Sequence, residues 1–173
     1  MKVRKVVYAA SLDPITNGHI NVIERMAPIY DELVVVVAAD SRKTYTFTLD
    51  ERMEMAKAAV AHLPNVTVDA CIGRYVVKHA SDIGAQAIVR GIRDFKDLGD
   101  ELILAEENRW ICAHVETIWI PCLPYLMHVS SSMVRAHVGA DPGWEAEVAR
   151  LVPAAVVTKL KEKFLLGKMQ FKK

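Results

Sequence analysis

The run Leu33-Val34-Val35-Val36-Val37-Ala38-Ala39 limits what this chain can fold into more than any other stretch. It is unbroken, apolar and mostly β-branched. A strand with one wet face alternates polar and apolar residues. A run apolar on both faces belongs inside a parallel sheet covered by helices on each side. Parallel neighbours need crossover connections, so such a chain must supply helices between its strands. It does. Val3 to Ala10 reads as a first buried strand, and Asn17 to Ile29 as a helix with Pro28 near its end. Thr48-Leu49-Asp50-Glu51 is a capping box, followed at helical spacing by Met53, Ala56, Val60 and Leu63 and ended by Pro64-Asn65. Val66 to Ala70 is a short strand, Gly73 to Ile83 a helix closed by Gly84, and Gln86 to Arg90 a fourth strand. Asp94 to Ala113 is a long helix, Glu116 to Ile120 a fifth strand, and Pro121 to Val129 a loop. Ser130 opens a helix through Met133, Val134 and His137; a turn, Ala140-Asp141-Pro142-Gly143, and a last amphipathic helix, Pro153 to Phe164, follow. This alternation implies an α/β protein, a single-domain doubly wound parallel sheet over residues 1–165 with a basic C-terminal tail, 166–173. That tail, with Lys168, Lys172 and Lys173, reads as solvated and frayed.

The chain's 173 residues suffice for one core without disulfide staples. A net charge of +1 argues against a dedicated nucleic-acid binder while leaving room for a local phosphate pocket. Cys71, Cys112 and Cys122 show no metal-ligand or CxxC spacing and read as reduced core thiols. No run approaches the roughly 20 apolar residues of a membrane span, and no signal sequence opens the chain, so the cytoplasm is the expected compartment. His62, His79, His114 and His137 lack metal-ligand spacing and read as surface residues, and the three tryptophans as packing residues.

Ligands of doubly wound sheets bind at the carboxyl ends of the strands, where strand order reverses. Three clusters fall there. The first is Ala10-Ser11-Leu12-Asp13-Pro14-Ile15-Thr16-Asn17-Gly18-His19, where a strand runs into a tight turn and a helix start. Asn17 is the expected N-cap, Gly18 permits close approach of a ligand, and His19 falls in the first turn beside any anion held by free N–H groups. The second is Arg90-Gly91-Ile92-Arg93, two guanidiniums just beyond a strand, suited to bidentate phosphate contact. The third is Val129-Ser130-Ser131-Ser132, hydroxyls and N–H groups at a helix start. Lys43 lies in the loop after the second strand. Blander readings exist for each: a surface histidine, arginines bridged to Asp94, Asp97 or Glu101, and a simple N-cap.

The opening cluster resembles the T/HxGH signature of the nucleotidylyltransferase superfamily, in the form found in phosphopantetheine adenylyltransferases. The second resembles that family's RGxR, and the third the superfamily's ISSS/T motif. The family's usual Gly-Thr-Phe is here Ala10-Ser11-Leu12. Of its DFEYE only Asp97 and Glu101 keep their places. Arg74-Tyr75-Val76 and Pro124 to His128 also depart from the common pattern. The resemblance covers nearly the whole chain. It implies a Rossmann-like nucleotidylyltransferase fold and transfer of an adenylyl group from ATP to 4'-phosphopantetheine by direct in-line attack.

The resemblance also implies the roles. His19, Lys43 and Arg93 are the catalytic set, with His19 on the α-phosphate. Arg93, Ser130, Ser131 and Ser132 bind the β- and γ-phosphates, and Ser11, Leu12, Gly91, Ile92, Glu101, Leu126, Met127, His128 and Val129 complete the ATP site. Lys43, Arg90 and Ser11 hold the acceptor phosphate, and Val76 and Asn108 line the rest of the acceptor site. Mg2+ is expected to be carried mainly by the ATP phosphates, with no protein metal ligands. A homo-oligomer, as a hexamer, is implied, with no nucleic-acid or membrane partner. Two other readings stand beside this one: a nucleotidylyltransferase acting on another phosphorylated acceptor, and a non-catalytic nucleotide-binding regulatory protein.

Overall fold

A computed structural model describes residues 3–167; the basic tail at Lys168, Lys172 and Lys173 lies outside them. Five strands form one sheet: β1 (Lys5–Ala10), β2 (Glu32–Ala39), β3 (Val66–Ile72), β4 (Ala87–Ile92) and β5 (Glu116–Pro121). Every pairing is parallel, and the order is β3-β2-β1-β4-β5. The helices are α1 (Asn17–Met26), α2 (Leu49–Val60), α3 (Val76–Asp82), α4 (Phe95–Ile111), α5 (Ser131–His137), α6 (Trp144–Val148) and α7 (Ala154–Leu165). Short 3-10 turns occupy Ala27–Ile29 and Pro124–Leu126.

The valine run behaves as its composition demands. Val35 and Val37 join Val6, Tyr8 and Val89 in a core beneath α1, α2, α5, α6 and α7. Val34 and Val36 join Val7, Ala9 and Ile88 on the other face, under Val77 and Ala80 of α3. Both faces of the central strands are dry, so their buried positions are almost wholly apolar. Thr48 and Glu51 close the predicted capping box at the start of α2.

Several boundaries shift. Pro28 ends α1 early, because proline lacks the N–H that the next turn requires, and the chain tightens into a 3-10 turn. The N-cap of α1 is Thr16, not Asn17, which already belongs to the helix and ties its N–H to the Leu151 carbonyl at 2.8 Å. The third helix starts at Val76 rather than Gly73, whose φ of +61° is left-handed. A short helix, α6, follows the turn at Gly143, and the sequence reading lacks it. Trp144 packs in the core as expected, whereas Trp110 is 89% exposed. Among the described residues no helix is long and apolar enough to cross a membrane.

Strand order reverses between β1 and β4. Their ladder pairs Val6 with Ala87 and Tyr8 with Val89. Beyond that point β1 leaves for the turn while β4 continues beside β5 to Ile92. The crevice opened there is where the functional groups collect.

Candidate active site

His19 sits on the wall of a cleft of about 430 Å³ at this crevice. Its ring stands edge-on to Tyr8, centroids 6.3 Å apart. The Thr16 N–H donates to Nδ1 at 2.9 Å, with His19 in the place a glutamate usually takes in a capping box. A backbone N–H has only a proton to give, so Nδ1 must be the acceptor. In the neutral ring the proton then sits on Nε2, leaving an N–H donor for the cleft. Neutrality is enforced. Burial, with help from Arg93 and Arg90, lowers the His19 pKa to about 4.

Arg90 and Arg93 line the same cleft. Arg90 is forked onto Glu101, Nε to Oε2 at 2.8 Å and Nη2 to Oε1, and its Nη1 donates to the Ala9 carbonyl across the crevice. Three of its five N–H groups are thereby used, and two remain for a ligand. Arg93 is forked onto Asp97 at 3.1 and 2.9 Å, and Asp94 caps α4 by accepting from the Asp97 N–H. Although burial pushes the Asp97 pKa up, Arg93 outweighs it, so the carboxyl sits below its usual range. Glu101 is thus first of all the partner that fixes Arg90.

Ser130, Ser131 and Ser132 form the opposite wall. Ser130 caps α5 by accepting from the Met133 N–H at 3.1 Å. Ser131 donates to the Pro14 carbonyl at 2.8 Å. Arg135 donates to Ser132 Oγ at 3.1 Å and to the Asp13 carbonyl. Asp13 itself is buried and accepts from the Thr46 and Phe47 N–H groups at 2.9 and 2.8 Å. One aspartate therefore ties the opening turn to the loop that carries Lys43.

The structure brings His19, Gly91, Arg90, Arg93, Glu101, Leu126, Val129 and the three serines to one cleft. It does not bring all of the expected residues there. Leu12 is fully buried in the core at a left-handed φ of +48° and lines no cleft wall. Ile92 and Met127 also lie off the lining, and Met127 is exposed. His128 faces a second, adjoining cleft of about 670 Å³, which shares Leu126 and Val129 with the first and runs along Asn17, Ile20 and Asn21 of α1. Ser11 and Lys43 are exposed at the ends of β1 and β2, outside the lining. Val76 opens α3, while Asn108 shares with Glu101 the only buried positions of α4.

The bridging of the two arginines to Asp97 and Glu101 was one of the readings open in the sequence, whereas the capping role of Thr16 and the place of Cys122 in the cleft were missed. The capping-box spacing Thr16 to His19 was there to be read. Cys122 lines the cleft beside Arg93 as a thiol whose pKa burial raises, so it is no ready nucleophile. Among the described residues no three His, Cys, Asp or Glu side chains converge to hold a metal ion. The nearby carboxylates, Asp97 and Glu101, are committed to arginines.

A cytidylyltransferase-like family model matches residues 7–137, which span all three clusters. Phosphopantetheine adenylyltransferase from Finegoldia magna is 37% identical over 95% of this chain and 98% of its own. The enzyme of that name from Staphylococcus haemolyticus is 40% identical over 92% of this chain and 96% of its own. Among solved structures, Plasmodium falciparum nicotinic acid mononucleotide adenylyltransferase, complexed with NaAD, aligns with a TM-score of 0.66. It covers 99% of this chain and 100% of its own at 14% identity, a likeness of fold alone.

Proposed function

The chain belongs to the phosphopantetheine adenylyltransferases, enzymes that reversibly move the adenylyl group of ATP to 4'-phosphopantetheine, and from that premise we propose how its residues divide the reaction. An oxygen of the acceptor phosphate attacks the α-phosphorus. The bond from that phosphorus to the bridging oxygen breaks, and pyrophosphate leaves. Both reacting oxygens belong to phosphates already ionised at neutral pH, so no proton need move at the reacting centre. Catalysis then rests on positioning and on stabilising charge in the pentavalent state.

The observation that carries this reading is the fixed tautomer of His19: Nδ1 taken by Thr16, Nε2–H left as a neutral donor to the cleft. A neutral donor aimed at the α-phosphoryl oxygens contributes most when their charge is redistributed. Ser130, Ser131, Ser132 and Arg93 take the β- and γ-phosphates at the start of α5. Leu126, Val129 and His128 carry the adenosine side, where the two clefts meet. The remaining N–H groups of Arg90, together with Lys43 and Ser11, take the acceptor phosphate, with Val76 and Asn108 along the acceptor's arm. Mg2+ fits as a charge-neutralising ion carried by the triphosphate and water, since the cleft carboxylates are engaged. Pyrophosphate release from ATP and 4'-phosphopantetheine, run with and without chelator and against a panel of phosphorylated acceptors, tests the assignment. Undiminished release under chelation would remove the ion from the scheme.

We also assign a homo-oligomer, a hexamer as the family resemblance implies, working in the cytoplasm. Phe95, Leu102, Ile103 and Trp110 lie along one side of α4 and are exposed, Phe95 at 92%. Apolar residues gathered on one helix side mark an association surface, here for a second copy of the chain. Trp110→Glu should lower the sedimentation mass. An unchanged mass would place the contact elsewhere.

A further inference from the structure

Arg52 lies in the second turn of α2 and is only 2% exposed, yet among the described residues it makes no ion pair. Its Nη1 donates to the Ser11 carbonyl at 2.7 Å and to the Ala38 carbonyl at 3.0 Å, at the ends of neighbouring strands β1 and β2. Its guanidinium lies over the Tyr45 ring, 4.0 Å from the centroid. The Tyr45 hydroxyl accepts from the Asp40 N–H at 2.9 Å. Ala38, Asp40 and Tyr45 bracket the loop that carries Lys43, so that loop hangs on this guanidinium at both ends. Among the described residues the Arg52 Nε has no hydrogen-bond partner. Asp13, whose charge reaches Arg52 through space, already accepts from two backbone N–H groups and faces Arg135. A buried charge is costly unless it is paired. Here carbonyl dipoles and an aromatic face offset the cost only in part, and a positive charge remains directly behind Ser11.

We propose that Arg52 is a positioning residue for the acceptor phosphate: it locks Ser11 and the Lys43 loop in place and supplies an unneutralised positive charge behind them. The inference rests on Ser11 and Lys43 holding that phosphate. A dianion arriving at the ends of β1 and β2 would meet Lys43 in front and the buried guanidinium behind.

The readout is the preference for a phosphorylated acceptor, measured as the ratio of the dissociation constants of pantetheine and 4'-phosphopantetheine, with ATP affinity alongside. Arg52→Gln should lower that ratio about tenfold and leave ATP affinity within about twofold, the scale of losing one charge-assisted contact. Arg52→Lys, which keeps the charge and two donors, should restore most of the ratio. An unchanged ratio in Arg52→Gln overturns the proposal. So does equal loss for ATP and acceptor, or a lysine variant no better than glutamine. If Arg52→Gln does not fold, Tyr45→Leu leaves the arginine but frees the loop, and should lower the ratio about threefold; no change there is equally fatal. Lys43→Ala separates the layers. Intact acceptor affinity in that variant would refute the acceptor assignment itself, whereas weakened affinity beside a normal Arg52→Gln refutes only the role of Arg52.

Discussion

Along the β4 rim of the crevice each guanidinium is forked onto a carboxylate, Arg90 onto Glu101 and Arg93 onto Asp97. Along the β2 rim Arg42 is likewise forked onto Asp40, but Lys43 makes no ion pair among the described residues, and Arg52 behind it is held by two carbonyls and the Tyr45 ring. The paired rim carries little net charge. Its value is geometric, because the acids fix where the remaining N–H groups point before any ligand arrives. The β2 rim, with Lys43 and Arg52 unpaired, carries net positive charge on an exposed loop, which attracts a phosphate but orients it less. His19 stands between them, neutral, as a donor whose direction is set by the backbone of Thr16. The two rims therefore teach a division of labour: one side places a triphosphate, and the other draws in a dianion.

The sharpest way to break that division is His19→Ala. The variant should fold and bind ATP nearly as wild type, and lose about 10²–10³ in turnover, the usual cost of one donor to developing charge. Steady-state kinetics with calorimetric ATP titration separates the cases. Rate near wild type would take His19 out of the mechanism, while ATP affinity falling in step with rate would make it a ground-state ligand.

Lys43→Ala tests the β2 rim. It should weaken 4'-phosphopantetheine roughly ten- to a hundredfold while ATP changes little, since a charge-assisted phosphate contact is worth about 1.5–3 kcal/mol. Equal losses would mean that the rims are not separate sites.

Glu101→Gln tests the paired rim. The amide keeps an acceptor for Arg90 but not the charge, so kcat/KM should fall about tenfold with the melting temperature lowered. If activity rises instead, the carboxylate competes with phosphate rather than placing the arginine.

The smallest effect is a pH response that stays flat. A free imidazole titrates at 6.5, and in the folded chain His19 is held to about 4. Between those values the unfolded chain binds the extra proton, so stability from the neutral ring is full above about 6.5 and gone once pH falls through about 4. His19 should therefore add no step to kcat/KM between pH 6 and 8, and its ring resonances should titrate near 4. Titration near 6.5 would show a solvated ring and undo the neutral-donor argument.

The sheet and the rim were legible in the residues alone. Val34 to Val37 could only be a doubly covered parallel strand, because no alternation leaves a face for water, and that choice forces the crossovers around it. Ser130 at a helix start and Thr48 to Glu51 were legible for the same local reason: a cap needs only its own turn. Trp144–Val148 was not, since five residues give too little periodicity to recognise. Which side chain holds which was settled by packing. Glu101 lies 11 residues from Arg90, Arg135 lies 122 from Asp13, and Arg52 lies 41 from Ser11. Each pair meets because the β1–β4 seam and its flanking helices bring distant segments to one edge. Burial then turns an ordinary histidine into a neutral donor and an ordinary arginine into an unpaired charge. Neither environment exists in the chain until the core has closed around it.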